Sequence, residues 1–505
     1  MRKKRFLFNA AIISSTSVLM NIVGVSFNIY ISNKVGAAGV GLFQLIMSVY
    51  GFSVTLASSG INLAATRLIS DELALKEKNA AGYIMKRCLI YATFFGLMSF
   101  LLLYAFSGYI SNVWLGDSRT ELSLKALSIS MLPIALSSAM SGYFMATRRV
   151  YKSASAQILE QIIKITISII SLDFFTKKGI EYACLCMVLC GSIAEISSFL
   201  YLYLLYRIDK KRYKNRNKRK NSWSSLLKIA TPVALSTYLR SALVTIEHLL
   251  IPKGLKNSGL SDKSALECYG KIHGMALPII LFPSAVLKSL SGLLVPELSE
   301  CAILGKKRQI NHIVSKMMKN SMLFAICISG IFYSFAEDIG IVIYKSKEVS
   351  LYIRLLAPLS VIMYVDGIVD GMLKGLNQQL NSMWYNIIDS LISILSIIIL
   401  LPKYGASGYI AVIYISELLN GFLSINRLIK ITDFKVKFIS WIALPSIFIY
   451  GSGYIVKNIF SLSSFSDVSV LVLKIVFCII FYLSVLILSS TIDFSPLRKI
   501  RHGKI

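Results

Sequence analysis

The sequence has 505 residues, of which 55% are hydrophobic and only 16% are charged, and its mean hydropathy is +0.67. Apolar runs of roughly 17–25 residues recur from one end of the chain to the other, and each is long enough to cross the hydrocarbon core of a bilayer. This pattern excludes a string of soluble domains and predicts an all-α polytopic membrane protein. The formal net charge is +29, and its position in the loops excludes a nucleic-acid partner.

The apolar runs predict about fourteen transmembrane helices. In chain order they lie at residues 7–31, 39–62, 85–107, 122–145, 154–172, 182–206, 224–247, 272–295, 314–335, 350–373, 383–401, 407–427, 438–456 and 467–490.

Lysine and arginine concentrate in the loops that lie on the same side as Met1. With Met1 inside, these loops hold about 35 of the 54 Lys and Arg residues, against about 13 on the other side, as the positive-inside rule expects. We therefore predict a multi-pass protein of the cytoplasmic membrane with both termini in the cytoplasm.

One basic segment, RIDKKRYKNRNKRKNSW at 207–223, separates spans six and seven. It anchors the topology at an anionic membrane surface or binds a cytosolic partner, and the sequence leaves both readings open. We predict an N-terminal six-helix lobe at 1–206, this linker at 207–223, a C-terminal six-helix lobe at 224–430, and two extra helices with a basic cytoplasmic tail at 431–505.

The two lobes are predicted to be copies of one repeat. The alignment that places Gly41 on Gly270 also places Gly179 on Gly408, with no gap between these two pairs, and we call this alignment the repeat register. Six spans in each copy enter the membrane in the same direction, so the lobes should be related by a pseudo-two-fold axis along the membrane normal.

The eight cysteines lie mostly within or beside predicted spans, and we expect no disulfide framework. Cys184, Cys186 and Cys190 have a spacing that resembles a metal site, but positions 184 and 186 diverge around a helix. We predict no metal site and no cofactor. Coupling to a proton, a sodium ion or the membrane potential is left open.

A polar stripe runs along span five, in SASAQILEQIIKITISII at 153–170. Spacings of three and four residues put its members on one helical face: Gln157, Glu160, Gln161 and Lys164. Two readings stay open, an internal Glu160–Lys164 ion pair or the wall of a polar cavity. The repeat favours the cavity, because it keeps polar Asn386 and Asp389 at matching positions but has a serine opposite Lys164.

Other predicted spans carry ionisable residues whose burial in lipid is costly. They are Arg240 and Glu247 in span seven, Lys288 in span eight, and Asp366, Asp370 and Lys374 in span ten. We predict that Arg240, Lys164 and Lys288 bind an anionic head group such as a lipid-linked pyrophosphate, because Arg and Lys bind phosphate oxygens directly. The polar wall of the cavity, with the candidates for ion coupling, comprises Gln157, Glu160, Gln161, Glu247, Asp366, Asp370, Lys374, Asn386 and Asp389.

Two stretches resemble a known family. They are VGAAGVGLFQLIMSVYGFSVTLASSGINLAATRLISDE after the first span and, more specifically, the segment 238–300 that begins YLRSALVTIEHLLIPKG and ends SLSGLLVPELSE. Both are similar to stage V sporulation protein B and related polysaccharide flippases of the multidrug/oligosaccharidyl-lipid/polysaccharide exporter superfamily. The resemblance covers essentially the whole chain.

The resemblance implies two six-helix lobes around a central cavity and transport by alternating access, without enzymatic activity. The implied substrate is an undecaprenyl-pyrophosphate-linked saccharide, either a peptidoglycan precursor or a polysaccharide repeat unit, which serves the spore cortex in sporulation members. Arg240 is the cavity arginine that carries over. The lipid II flippases also have arginines in their first helix, whereas span one here has none. In the family, spans thirteen and fourteen form a groove for the lipid tail, and the resemblance implies the same role for the two extra spans here.

Two other functions share some of these features. A cation-coupled multidrug or small-molecule antiporter has the same architecture, but its cavity is typically acidic and aromatic. A membrane glycosyltransferase or ligase needs a catalytic loop, and the longest outer loop, near 248–270, offers only Asp262 and Glu267 as acids. The expected partners are the lipid-linked saccharide and membrane lipids, around a monomer that interacts with cell-wall synthesis proteins.

Overall fold

The computed structural model describes residues 2–74, 78–210, 222–460 and 468–489, and all regular structure in these ranges is helical. The first eight α-helices are α1 Arg2–Ser58, α2 Ile61–Ala74, α3 Lys78–Tyr109, α4 Glu121–Ser128, α5 Met131–Ala146, α6 Val150–Thr176, α7 Ile180–Lys210 and α8 Ser222–Asn257. The next five are α9 Asp262–Tyr269, α10 Leu277–Leu281, α11 Ser284–Ile303, α12 Lys307–Ser334 and α13 Ala336–Tyr344. The last five are α14 Lys347–Leu356, α15 Ser360–Gly375, α16 Gln379–Ile431, α17 Leu444–Ile459 and α18 Val468–Leu488.

The chain is a multi-pass membrane protein. Among the described residues, seven helices are long and apolar enough to cross a bilayer, or up to eleven if each of four bent helix pairs is one span. The predicted fourteen spans are therefore an approximate count. Part of the difference arises because α1 and α16 each contain two predicted spans, joined across kinks at Gly36 and Gly405. Span five corresponds to α6, which is not among the seven.

By internal contacts the chain divides into two compact units. Unit 1 comprises Met1–Gly270 and Ser390–Tyr409. Within it α6 packs along α7, and α5 packs against α2 and α3. Its core holds large, fully buried side chains such as Met85, Leu124 and Phe144.

Unit 2 comprises Lys271–Asp389 and Ile410–Ile505. Its core lies between α11, α12 and α15, where Leu298, Met318 and Ile368 are fully buried. The two extra helices belong to this unit. Lys474 of α18 forms an ion pair of 2.8 Å with Asp338 of α13, so a charge inside an apolar helix is neutralised by its neighbour.

The described residues do not test the predicted lobe boundaries, which stay a prediction. Most of the predicted linker, at 211–221, and the basic tail from 490 onward lie outside the described residues.

The helix ends recur in the repeat register. The helix α5, Met131–Ala146, and the helix α15, Ser360–Gly375, match at both ends. The residues Arg148 and Asn377, which follow these helices and align with each other, both have positive φ angles, of 58° and 61°. A left-handed residue is uncommon outside glycine, so its recurrence at one register supports a true internal repeat.

A second turn recurs in the same register. Gly116 and Lys345 both adopt left-handed backbone, with φ of 66° and 53°. The amide that follows each of them bonds back to an earlier carbonyl, Asp117 N to Ser111 O at 3.0 Å and Ser346 N to Gly340 O at 3.1 Å. The same chain reversal therefore occurs twice.

All eight cysteines are described and buried, and none of them forms a disulfide with another described residue. Within the described ranges no three His, Cys, Asp or Glu side chains lie close enough together to hold a metal ion.

Close backbone packing between α1 and α9 makes a test of the fold. A β-carbon on Gly41 would lie 2.2 Å from the carbonyl oxygen of Leu266, whereas one on Gly51 of the same helix would have no neighbour within 4 Å. We expect Gly41→Ala to destabilise the protein by about 1–3 kcal/mol or more, as overpacking does. The melting temperature of the purified protein in detergent should fall for Gly41→Ala and stay near wild type for Gly51→Ala. Equal melting temperatures would contradict this packing.

Candidate functional site

The polar stripe of span five lies on α6 in unit 1. Near the start of this helix the small side chains of Ser153 and Ala156 are buried, which lets α6 approach α7 closely. The stripe is partly accessible, with one exposed residue and three half-buried ones: Gln157, then Glu160, Gln161 and Lys164.

Glu160 and Lys164 do not form a direct ion pair. No ion pair in the described part of the chain joins them. Lys164 is still close enough to act electrostatically on Glu160, which also approaches the hydroxyl of Ser198 on α7. The amine of Lys164 therefore has no direct ionic partner among the described residues.

A further carboxylate, that of Glu195 on α7, lies beside the stripe, and sequence reasoning missed it. Tyr50 of α1 donates a hydrogen bond to Glu195 Oε1. The other oxygen, Oε2, is buried and has no hydrogen-bond partner among the described residues. Glu160 and Lys164 both lie near enough to act on Glu195 electrostatically. A single acid in the apolar run of span six was the signal that could have found it.

Span seven is α8, and Arg240 lies at the middle of its apolar stretch, Trp223–Asn257. The Arg240 side chain is exposed, and the described residues give it no hydrogen bond or ion pair. Glu247, two turns later, is occupied differently, because Ser393 of α16 donates a hydrogen bond of 2.6 Å to its Oε1. Arg240 and Glu247 therefore differ in their contacts, although they lie on the same helix.

In unit 2, Lys288 of α11 is exposed and likewise has no hydrogen bond or ion pair with any described residue. It lies beside α15 at Gly367, where a β-carbon would come within 4.0 Å of Lys288 Cγ. The glycine therefore leaves space along the lysine stem.

Asp370 and Lys374 of α15 form an ion pair of 2.6 Å, so the charge of Lys374 is already neutralised. Ser382 of α16 also donates a hydrogen bond to Asp370, and the side chain of Asn386 donates to the Ser382 carbonyl at 2.7 Å. The structure thus joins three predicted residues into one network.

The remaining two predicted acids of unit 2 are held by the second part of α16. Asn420 donates a hydrogen bond of 3.1 Å to Asp366 Oδ2, and Ser416 donates one of 2.7 Å to Asp389 Oδ1. Sequence reasoning did not single out Asn420 or Ser416, because an uncharged polar residue in a span is common and its partner lies far away in the sequence.

Other charged side chains within or beside the spans are paired more directly. Arg149 and Lys152 converge on the buried Asp209 in unit 1, and Lys474 is paired with Asp338 in unit 2. Against this background three predicted cations have no direct ionic partner among the described residues, and we call them the open cations: Lys164, Arg240 and Lys288.

The sequence matches a family profile and several known proteins. The sequence profile described as "Polysaccharide biosynthesis protein" matches residues 6–259, just over half of the chain. Stage V sporulation protein B of Bacillus subtilis (strain 168) is 25% identical over 449 residues, covering 86% of each chain.

Two solved structures have a similar fold. A lipid II flippase MurJ in an inward closed conformation matches with a TM-score of 0.64 and 15% identity, covering 95% of this chain and 96% of that one. An inward-facing multidrug resistance MATE family transporter of the MOP superfamily also has a TM-score of 0.64, with 12% identity, covering 90% of this chain and 100% of that one.

These findings confirm the resemblance predicted from the sequence. The similar proteins whose names state an activity are transporters or flippases, which supports a membrane transporter and not an enzyme. Because the profile matches more than half of its residues, the chain belongs to the polysaccharide biosynthesis protein family.

Proposed function

We propose that this transporter is a flippase for an undecaprenyl-pyrophosphate-linked saccharide. It moves a peptidoglycan precursor or a polysaccharide repeat unit across the cytoplasmic membrane by alternating access, and both its termini lie in the cytoplasm. Its similarity to stage V sporulation protein B supports a role in sporulation, with cell-wall synthesis proteins as neighbours.

The observation that carries this proposal is the set of open cations. A cation near the centre of a bilayer costs about 2.5–3.5 kcal/mol on insertion scales, so it is usually neutralised by a partner or retained for a function. Lys164, Arg240 and Lys288 have no direct ionic partner among the described residues. A pyrophosphate supplies the negative oxygens that Arg and Lys bind best.

The acids take a different part in the proposed mechanism. Asp366 and Asp389 each accept a hydrogen bond from a neutral side chain. Such carboxylates can bind sugar hydroxyls or take up a coupling proton or sodium ion. Glu195 is the strongest candidate for coupling in unit 1, because one of its oxygens is buried without a hydrogen-bond partner among the described residues.

An antiporter for cationic drugs is the alternative, and the MATE-like fold does not decide against it. The open cations do count against it, since they would repel a cationic substrate in a medium of low dielectric constant. The two functions separate experimentally by the charge of the transported molecule.

Translocation of fluorescent lipid II in liposomes that contain the purified protein tests the flippase directly. We expect Arg240→Ala to slow translocation by about 10–100-fold, because hydrogen bonds to charged groups contribute about 1.5–3 kcal/mol. Lys228→Ala is the matched control, since Lys228 is an exposed cation nearer the start of the same helix.

Wild-type translocation that Arg240→Ala leaves unchanged would contradict a role for the open cations. Failure with lipid II but transport of another prenyl-linked glycan would identify a different saccharide. Transport of a cationic dye, with no prenyl substrate moved, would favour the antiporter.

The coupling assignment generates a second prediction. In liposomes with an imposed proton or sodium gradient, Glu195→Gln should keep basal translocation but lose the acceleration that the gradient gives to wild type. Tyr50→Phe removes the hydrogen bond to Glu195 and should weaken the same response. Glu300→Gln, at an exposed glutamate of α11, is the control. An unchanged gradient response in Glu195→Gln would exclude this residue as the coupling site.

A further inference from the structure

Three turns lie at one end of unit 1. They are the kink at Gly36 within α1, the turn between α3 and α4, and the turn between α6 and α7. Lys34 beyond the first predicted span forms an ion pair of 2.7 Å with Asp173 near the end of α6. The thiol of Cys184 in α7 lies 3.6 Å from the carbonyl of Gly39. The charge distribution of the loops predicts that this end faces outward, opposite the basic residues Arg149 and Lys152.

A cavity of about 300 Å³ opens at this end, which is enough for a single sugar ring by the usual size of ligand pockets. It is formed by the start of α4 and the start of α7. The lining residues that could meet a ligand are Arg119, Glu121, Ser123, Lys125, Glu181 and Tyr182.

The turn that presents Arg119 is held in place by Asp117. The guanidinium Nε lies 2.9 Å from Asp117 Oδ1, and Nη2 lies 2.6 Å from Oδ2, a bidentate pair. The Asp117 carbonyl in turn accepts hydrogen bonds of 2.8 Å from Ser111 and Thr120. Burial alone would raise the pKa of Asp117, but the hydrogen bonds and charge of Arg119 outweigh it and hold that pKa below its ordinary value.

The charges of the cavity are balanced. Lys125 pairs with Glu121 at 2.7 Å, and Glu181 lies near enough to Arg119 to act on it electrostatically. Because the cations already have acidic partners, a diphosphate would have to displace them. A neutral ligand rich in hydroxyl groups fits better, since its hydroxyls can donate to the carboxylates and accept from Lys125 and Arg119.

Two further side chains favour a sugar. Ser123 is 1% exposed and is one of the residues that line the cavity, and its buried hydroxyl has no hydrogen-bond partner among the described residues. A buried hydroxyl without a partner is costly unless a ligand supplies one. Tyr182 is 39% exposed and offers an aromatic face on which the apolar side of a sugar ring can pack.

The fold does not require this chemistry. In the repeat register the second copy has Ile410 and Ala411 where the first has Glu181 and Tyr182. The two residues are therefore special to the first copy.

We propose that this cavity binds a sugar ring through the hydroxyl groups and the apolar face of that ring. The proposal rests on the proposed function for its natural source, the saccharide of the translocated lipid at the outer face. The binding chemistry itself is the same for a free sugar and for a lipid-linked one.

The proposal is tested by measuring the binding of N,N′-diacetylchitobiose to the full-length protein in detergent. Saturation-transfer NMR and titration calorimetry measure this binding. We expect wild type to bind the disaccharide, with inorganic pyrophosphate failing to compete. Tyr182→Ala and Glu181→Gln should each weaken binding at least tenfold, and Ser123→Ala should weaken it less. Tyr151→Ala is the matched control, because Tyr151 is an exposed tyrosine at the other end of α6.

The proposal would be overturned if wild type did not bind the disaccharide, if Tyr151→Ala weakened binding as much as Tyr182→Ala, or if Tyr182→Ala left the affinity unchanged. It would also be overturned if pyrophosphate competed for the cavity, or if a soluble muropeptide bound through its peptide and not through its sugar. A second experiment distinguishes a lipid-linked sugar from a free sugar as the natural ligand. In liposomes, Tyr182→Ala should reduce translocation of a prenyl-linked acetamido sugar more than translocation of a prenyl diphosphate without sugar. If the protein binds chitobiose but translocates no prenyl-linked substrate, sugar binding by the cavity is supported and the flippase function is contradicted. If it translocates a prenyl-linked substrate but does not bind chitobiose, the flippase function is supported and sugar binding by the cavity is contradicted.

Discussion

The energetic cost of a charge in hydrocarbon governs the rest of this structure. An ionisable side chain within a span must find a partner, reach water, or serve a ligand that compensates the cost. Lys474 inside α18 is paired with Asp338 on a neighbouring helix, and at the end of α7 the buried carboxylate of Asp209 is neutralised by Arg149 and Lys152. Lys164, Arg240 and Lys288 have no such direct partner among the described residues, and our proposal that they bind a diphosphate rests on this contrast.

The same backbone plan occurs twice, and its chemistry has diverged. In the repeat register the two copies keep helix ends, left-handed turn residues and turn hydrogen bonds. Their polar side chains differ: Glu160 lies near Lys164 in the first copy, whereas Asp389 accepts a hydrogen bond from Ser416 in the second. A duplicated scaffold preserves what the backbone needs and leaves each copy free to acquire its own ligand contacts.

Much of the fold could be predicted from the sequence because hydrophobic length and periodicity are local properties. The apolar runs, the polar stripe on α6 and the register of the repeat are all of this kind. The kinks that join two spans within α1 and α16 were not predicted, since a glycine in an apolar run does not reveal its dihedral angles. Partners were missed for a similar reason: Tyr50 is 145 residues from Glu195, and Ser393 is 146 residues from Glu247.

Native mass spectrometry of the protein in detergent, with undecaprenyl pyrophosphate and with undecaprenol, tests our proposal that the open cations each contribute to binding a diphosphate lipid. The account predicts that wild type retains the diphosphate lipid well above the uncharged alcohol, and that replacing Lys164, Arg240 and Lys288 together with glutamine abolishes this difference while the protein stays folded. Equal retention of the two lipids by wild type, or an undiminished preference in the triple variant, would contradict it.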